Sequence, residues 1–352
     1  MKIISIVGAR PQFIKCAPLS KELRKTTEEN ILNTGQHYDL EMSEIFFKEL
    51  NIPHPDYNLG IGSGTHGEQT GKMLIDIEKI LIHEKPDLVL VYGDTNSTIA
   101  GALAASKMGI RVAHVEAGLR SFDRQMPEEI NRILTDHISS LLFCPTPQAV
   151  TNLKNEGIVS GVHMAGDVMQ DALLTYSAAA GKVSKILMKL DLTTNEYFVI
   201  TVHRPGNTDN KEKMRSIIEA LKRLERKVVF PVHPRTEKYL KKYGFWEKMP
   251  SNVIVTKPLG YLDMLHLMNN ADKIITDSGG IQKEAYMLGK PCITLRENTE
   301  WVETVDAGWN VLVGADEEKI MKAAADQRIP DKRPLFYGEN VCEKITGIIN
   351  RL

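Results

Sequence analysis

Short β-branched runs that end in Gly, Asp or His alternate with longer stretches of helical period along almost the whole of this 352-residue chain. That rhythm demands parallel strands joined by crossover helices. In the first half the strand signals are Ile3–Val7, Asn30–Asn33, Leu88–Tyr92, Arg111–Glu116, Leu141–Cys144 and His163–Ala165. Between them lie helical segments at Pro11–Arg24, Glu41–Leu50, Gly67–His83, Ser97–Lys107, Glu128–Ser139 and Pro147–Asn155. Asp87-Leu88-Val89-Leu90-Val91-Tyr92 is almost continuously apolar, as a strand covered on both faces must be. The second half repeats the pattern with strands at Tyr197–Val202, Lys227–Val232, Val253–Val255, Lys273–Thr276 and Cys292–Leu295. Its helices fall at Asn210–Leu224, Arg235–Tyr243, Tyr261–Asn269, Ile281–Leu288 and Glu317–Ala325. The expected class is α/β with two doubly wound domains, residues 1–168 and 169–337, joined through the helical segment 167–194. A last helix, about 338–352, is free to pack on either domain.

Composition narrows the function classes. With 44 basic and 45 acidic side chains the formal net charge is −1, so the basic excess of a nucleic-acid or anionic-membrane binder is missing. Any anionic ligand must be met by a local site. Cys16, Cys144, Cys292 and Cys342 are far apart and show neither CxxC nor CxxH spacing, which argues against a metal site and a disulfide framework. The N-terminal apolar run Ile3–Val7 is too short for a secretion signal and reads as a first strand. No stretch has the length of a membrane span. A reducing, cytoplasmic compartment is expected.

Open α/β sheets bind ligands beyond the carboxyl ends of their strands, and polar residues collect there. Arg10 and Lys15 follow the first strand, where cations oppose the dipole of the helix they begin, so an anionic ligand explains them better than local stability does. Asp94 follows Leu88–Tyr92 and has two readings, a cap for the next helix or an acid/base group. Glu116, directly after Val112-Ala113-His114-Val115, is placed for burial and a perturbed pKa. Glu128 follows Pro127, so it fits helix-start chemistry as well as acid/base work. His203 ends Tyr197–Val202 and suits phosphate binding or proton transfer. His233 has weaker credentials, and His114, inside a strand, reads as a core histidine. Ser278-Gly279-Gly280 opens a helix carrying Glu284. The pair of glycines permits close backbone approach, the helix start attracts phosphate, and Glu284 is placed to accept from ribose hydroxyls. The alternative is a plain turn with an N-cap serine.

Taken in order, Gly8-Ala9-Arg10-Pro11 with Lys15, Thr34-Gly35-Gln36-His37, Gly93-Asp94-Thr95, Val115-Glu116-Ala117-Gly118-Leu119-Arg120, Pro127-Glu128-Glu129-Ile130-Asn131-Arg132, His203-Arg204, Asp277-Ser278-Gly279-Gly280-Ile281-Gln282-Lys283-Glu284 and Arg296-Glu297-Asn298-Thr299-Glu300 resemble the non-hydrolysing UDP-N-acetylglucosamine 2-epimerases. The resemblance implies a glycosyltransferase-B fold, two Rossmann-like domains facing a central cleft, with the last helix packed back on the first domain. It also implies a homodimer that uses no cofactor and no metal. The implied reaction is anti elimination of UDP to 2-acetamidoglucal and syn re-addition, converting UDP-N-acetylglucosamine (UDP-GlcNAc) to UDP-N-acetylmannosamine (UDP-ManNAc) for surface polysaccharide or glycan precursors. By motif position, Asp94, Glu116, Glu128 and His203 are catalytic. Arg10, Lys15, His203, Ser278, Gly279, Gly280, Glu284 and Arg296 hold UDP, and Gln36 and His37 match a regulatory loop. Several positions depart from the family pattern: Gly206 stands where many members have Glu, Met264 where an aromatic flanks the uracil, and Trp301 where many have Arg. The arginine expected around Asp76–Glu78 is missing. Three rivals remain: a glycosyltransferase of the same fold, which needs one base only; a hydrolysing epimerase; and a non-catalytic nucleotide-sugar sensor, which has little use for so many titratable groups.

Overall fold

A computed structural model describes residues 1–36 and 53–352. Within them the chain forms two compact units, residues 1–175 with 335–352, and residues 176–334. The helix expected at Glu41–Leu50 falls outside the described residues, as does His37.

The first unit is built on a parallel sheet of strands β1 (Lys2–Val7), β2 (Glu28–Asn33), β3 (Tyr57–Asn58), β4 (Leu88–Tyr92), β5 (Arg111–Val115), β6 (Leu141–Cys144) and β7 (Val162–Met164), in the order β3-β2-β1-β4-β5-β6-β7. Strand order reverses beside β1. β1 pairs β2 through Ile6↔Leu32 and β4 through Ile6↔Val91. Both faces of the central strands are covered, which is why their sequences lack alternation. Ile4, Ile6, Val89 and Val91 pack against Met73, Ile77 and Leu81 of helix His66–Glu84 and against Ala100 and Ala104 of helix Asn96–Lys107. Each large apolar side chain so buried contributes roughly 1.5–3 kcal/mol over leaving it in water. The C-terminal helix Val341–Ile349 packs on helix Arg10–Leu23 in this unit, and Asn350 exchanges hydrogen bonds of 2.9 and 3.2 Å with Thr26.

The second unit contains β8 (Tyr197–Thr201), β9 (Lys227–Pro231), β10 (Val253–Thr256), β11 (Lys273–Thr276), β12 (Cys292–Thr294) and β13 (Asn310–Leu312), parallel in the order β10-β9-β8-β11-β12-β13. Phe198, Ile200, Val228 and Phe230 meet Met214, Ile217 and Leu221 of helix Lys211–Arg223. On the other face Tyr197, Val199 and Val229 meet Leu267, Met268 and Ala285.

Two strands have no counterpart in the sequence reading. β3 has two residues and β13 three, and both sit at sheet edges. Val311 of β13 is 48% exposed. An edge strand buried on fewer sides needs no continuous apolar run, so it leaves little signal. Several boundaries also move. β5 ends at Val115, one residue before Glu116, and β8 ends at Thr201, two before His203.

Candidate active site

In the first unit, the turns after β1, β4 and β5 carry the candidate groups. Lys15 lies on helix Arg10–Leu23 and is 7% exposed. Its ammonium contacts the Glu116 carboxylate, so the buried cation already has a partner within the unit, which the anionic-ligand reading did not foresee. Arg10 is the first residue of that helix and is half-buried. Gln12 braces the turn: its carbonyl accepts from the Gly8 and Ala9 amides at 2.8 and 3.0 Å, and its amide donates to the Tyr92 carbonyl at 2.8 Å.

Asp94 does not cap the following helix. Thr95 does, its hydroxyl accepting from the Thr98 amide, while the Asp94 carboxylate pairs with the Arg132 guanidinium. Asn131 donates to the Asp94 carbonyl at 3.0 Å. Gly93, with φ +62°, keeps this turn close to its neighbours. A Cβ there would sit 3.3 Å from Glu116 Oε2 and 3.5 Å from Lys15 Nζ, so the turn that carries Asp94 lies against the Lys15–Glu116 pair. Glu116 itself has φ +74°, a left-handed conformation that costs a non-glycine residue roughly 1–3 kcal/mol and persists only where surroundings impose it. Its amide and that of Ala117 both donate to the Phe143 carbonyl at 3.1 Å.

Glu128 is the second residue of helix Pro127–Ile138 and is exposed. The next residue, Glu129, is 1% exposed. It accepts from the Ser121 amide and hydroxyl and from the Phe122 amide, each at 2.9 Å, and from Arg132 at 2.7 Å. Burial alone would raise its pKa, but these hydrogen bonds outweigh it and hold the carboxyl below its ordinary value. Glu129, Arg132 and Asp136 were given no role by the sequence reading. Their spacing, i, i+3 and i+7, puts one line of charge along a single helix face, and that was the signal available for them. Gln36 packs inward, accepting from the Ser97 amide at 2.9 Å and hydroxyl at 2.6 Å.

In the second unit the corresponding turns follow β8, β9, β11 and β12. Asp277, fully buried, organises them. Its carboxylate accepts from the His203 amide at 3.0 and 3.1 Å, from the Arg204 amide at 3.0 Å and from the Asn207 side chain at 3.1 Å. His203 Nδ1 lies 3.5 Å from the same carboxylate, and the His203 and His233 rings are 5.9 Å apart. Burial pushes the His203 imidazole below its ordinary pKa, against the pull of the Asp277 charge. His233 is exposed, and it caps its helix by accepting from the Arg235 amide at 3.1 Å.

Ser278 is an N-cap, accepting from the Ile281 amide at 3.4 Å. The helix begins at Gly279, two residues earlier than the sequence suggested, so Gly279 and Gly280 form its first turn and not a preceding loop. Their amides are helix-start donors of the kind that bind phosphate. The two glycines differ. A Cβ on Gly279 would come 2.2 Å from Glu300 Oε1, whereas at Gly280 the nearest atom is Ser278 Oγ at 3.9 Å. Glu284 lies half-buried on the same helix. Arg296, after β12, pairs with Glu300 at 2.9 Å. Trp301 is buried, with the Lys283 ammonium 4.6 Å from its ring centroid. Among the described residues no group of three His, Cys, Asp or Glu is arranged to hold a metal ion, and no helix is long and apolar enough to cross a membrane.

Comparison with known proteins bears on these turns. The UDP-N-acetylglucosamine 2-epimerase family model matches residues 21–350. A UDP-N-acetylglucosamine 2-epimerase homolog of Methanococcus maripaludis is 63% identical over 325 residues, 92% of this chain and 91% of that one. A UDP-2,3-diacetamido-2,3-dideoxy-D-glucuronate 2-epimerase of Pseudomonas aeruginosa is 48% identical over 364 residues, covering both chains completely. The crystal structure of Methanocaldococcus jannaschii UDP-GlcNAc 2-epimerase in complex with UDP-GlcNAc and UDP superposes with a TM-score of 0.90 at 47% identity, again over the whole of both chains. The expected fold class holds: two doubly wound α/β units of the glycosyltransferase-B type. The chain belongs to the UDP-N-acetylglucosamine 2-epimerase family, as an enzyme of its non-hydrolysing branch.

Proposed function

We propose that this enzyme interconverts UDP-GlcNAc and UDP-ManNAc by elimination and re-addition of UDP, in the service of cell-surface polysaccharide or glycan precursor synthesis. A base removes the C2 proton while the C1–oxygen bond breaks. The electrons of the C2–H bond become the C1–C2 double bond of 2-acetamidoglucal, and UDP leaves with those of the C1–oxygen bond. Re-addition returns UDP to C1 and a proton to the opposite face of C2. Two faces require more than one proton-transfer group, and Asp94, Glu116 and Glu128 fill that requirement on the first unit. His203, Arg10, Lys15 and Arg296 supply positive charge or donors for the diphosphate. Ser278, Gly279 and Gly280 offer the helix start and Glu284 takes the ribose hydroxyls. Cytoplasmic location and a homodimer belong to the same reading, the latter resting on the family resemblance and testable by light scattering.

The observation that carries the reading is the pairing on the first unit: two post-strand carboxylates, Glu116 bound to Lys15 and Asp94 to Arg132, which also holds Glu129. A glycosyltransferase needs a single base and gives no reason for the second pair. The full-length likeness to a 2-epimerase of UDP-2,3-diacetamido-2,3-dideoxy-D-glucuronate favours one further reading, that the sugar is this acidic diacetamido derivative. Incubating the enzyme with each nucleotide sugar and no acceptor, then recording proton NMR, decides between them. Accumulation of the manno epimer from UDP-GlcNAc supports the first reading. Turnover of the uronate alone supports the second, free sugar points to hydrolysis, and inertness toward both with tight UDP binding would leave a sensor.

A further inference from the structure

In the sequence, His114 reads as a core histidine and Asp136 carries no functional signal of its own. Both are fully buried, His114 on β5 and Asp136 on helix Pro127–Ile138. His114 Nε2 lies 2.7 Å from the Gly93 carbonyl, and Nδ1 lies 2.7 Å from Asp136 Oδ1. A carbonyl only accepts, and so does an ionised carboxylate, so both ring nitrogens carry the hydrogens of these contacts. The other Asp136 oxygen accepts from the Gly118 amide at 3.1 Å and from Arg120 at 2.7 Å. Arg120 is held from its far side by Glu156, at 2.6 and 2.8 Å. Burial would raise the Asp136 pKa, yet the bond from His114 and the charge of Arg120 bring it below the ordinary value, so the carboxylate is a fixed acceptor.

The ends of this short chain carry the argument. Gly93 immediately precedes Asp94. Gly118 follows Glu116 by two residues and closes the bend in which Glu116 is held at φ +74°. A Glu side chain has no intrinsic preference for that backbone, so its surroundings hold it there: the Lys15 contact on its carboxylate and the amides tied down along the bend. Those of Glu116 and Ala117 go to Phe143, and that of Gly118 goes to Asp136. A buried polar pair costs stability unless every group is satisfied, and apolar residues at these two positions, one on β5 and one on helix Pro127–Ile138, would fill the interior at less cost. Retaining His114 and Asp136 makes sense where the position of two neighbouring turns matters more than the stability of the core.

We propose that His114 and Asp136 are positioning residues, a buried relay that sets the turn carrying Asp94 against the bend carrying Glu116. This rests on the proposed epimerisation, in which both carboxylates act on one sugar. A displacement of about 1 Å at a reacting group can cost on the order of a hundredfold in rate.

His114→Phe keeps a flat ring, somewhat larger than imidazole, and removes both hydrogen bonds, and Asp136→Asn replaces one acceptor oxygen by a donor. Each should lower kcat for deuterium uptake at C2 of UDP-GlcNAc in D₂O by about 10–100-fold, with KM and UDP affinity within about threefold of wild type. Amide hydrogen exchange in the segment 116–122 should quicken by at least tenfold, an effect readable without turnover. Exchange in segment 197–201 of the second unit serves as the folding control and should not change. Unchanged kcat and unchanged 116–122 exchange in both variants would overturn the relay. So would a loss of UDP affinity matching the loss of kcat, or quickened exchange spread evenly over the chain. A wild-type enzyme that places no deuterium at C2 would instead overturn the epimerisation reading, and the 116–122 exchange would still report whether the relay holds the bend.

Discussion

The turns beyond the strand ends in the two units share a topology and differ in chemistry. In the first unit, carboxylates are balanced by cations side chain to side chain: Glu116 with Lys15, Asp94 with Arg132, and Glu129 with Arg132 beneath them. In the second, one buried carboxylate, Asp277, accepts backbone amides, and what is turned outward is a neutral-leaning imidazole and a helix start. The first arrangement suits accepting a proton, because the neighbouring cations favour the ionised form of each carboxylate. The second suits holding an anion, because fixed N–H dipoles need no reorganisation when it arrives. On the proposed function, the first unit supplies the proton-transfer groups together with Arg10 and Lys15, and the second supplies fixed donors for the anion.

Substitutions should break that division in different observables. The largest effect is expected on the first unit, where Glu116→Gln and Asp94→Asn each lower kcat by roughly 10²–10⁴-fold while UDP affinity, measured by calorimetry, changes little. Equal losses in both quantities would show these carboxylates to be binding groups. Arg10→Ala should do the reverse, weakening UDP by about 10–100-fold, as loss of a charged hydrogen bond does, with a smaller change in kcat. Asp277→Asn should lower the stability of the second unit by about 1–3 kcal/mol, seen in thermal unfolding, because an amide leaves part of the donor set around it unpaired.

The smallest effect concerns pH. His203 is held below its ordinary pKa by burial, so it is neutral in the free enzyme at pH 7, and a bound diphosphate favours its charged form. Binding therefore takes up a proton, and UDP affinity should rise as pH falls from 7.5 towards 5.5, by roughly threefold relative to a His203→Gln control measured alongside. The control removes the titration of UDP itself. Identical pH dependence in both proteins would remove His203 from the anion site.

How much of this could be read in advance depended on what kind of interaction was involved. Central strands such as Leu88–Tyr92 were legible because burial on two faces demands an unbroken apolar run, whereas β3 and β13 were not, being short edges with little to bury. Post-strand groups were legible as a class, because position after a strand is a one-dimensional fact. Their partners were not. Lys15 and Glu116 are 101 positions apart in the chain and Arg132 and Asp94 are 38 apart, and nothing local marks them as pairs. Asp94 was a plausible cap until Thr95 proved to take that role. Glu129, Arg132 and Asp136 carried a signal in their helical spacing, but charge along one helix face ordinarily faces solvent. Only the strand turns packed beneath that face give it another meaning.

Proton NMR of UDP-GlcNAc incubated with the wild-type enzyme in D₂O tests the division of labour most directly. Deuterium should appear at C2 of both the gluco and manno nucleotide sugars, at a rate that falls with Glu116→Gln and Asp94→Asn but not in proportion to UDP affinity. A C2 proton that stays in place under conditions where UDP is bound would contradict it.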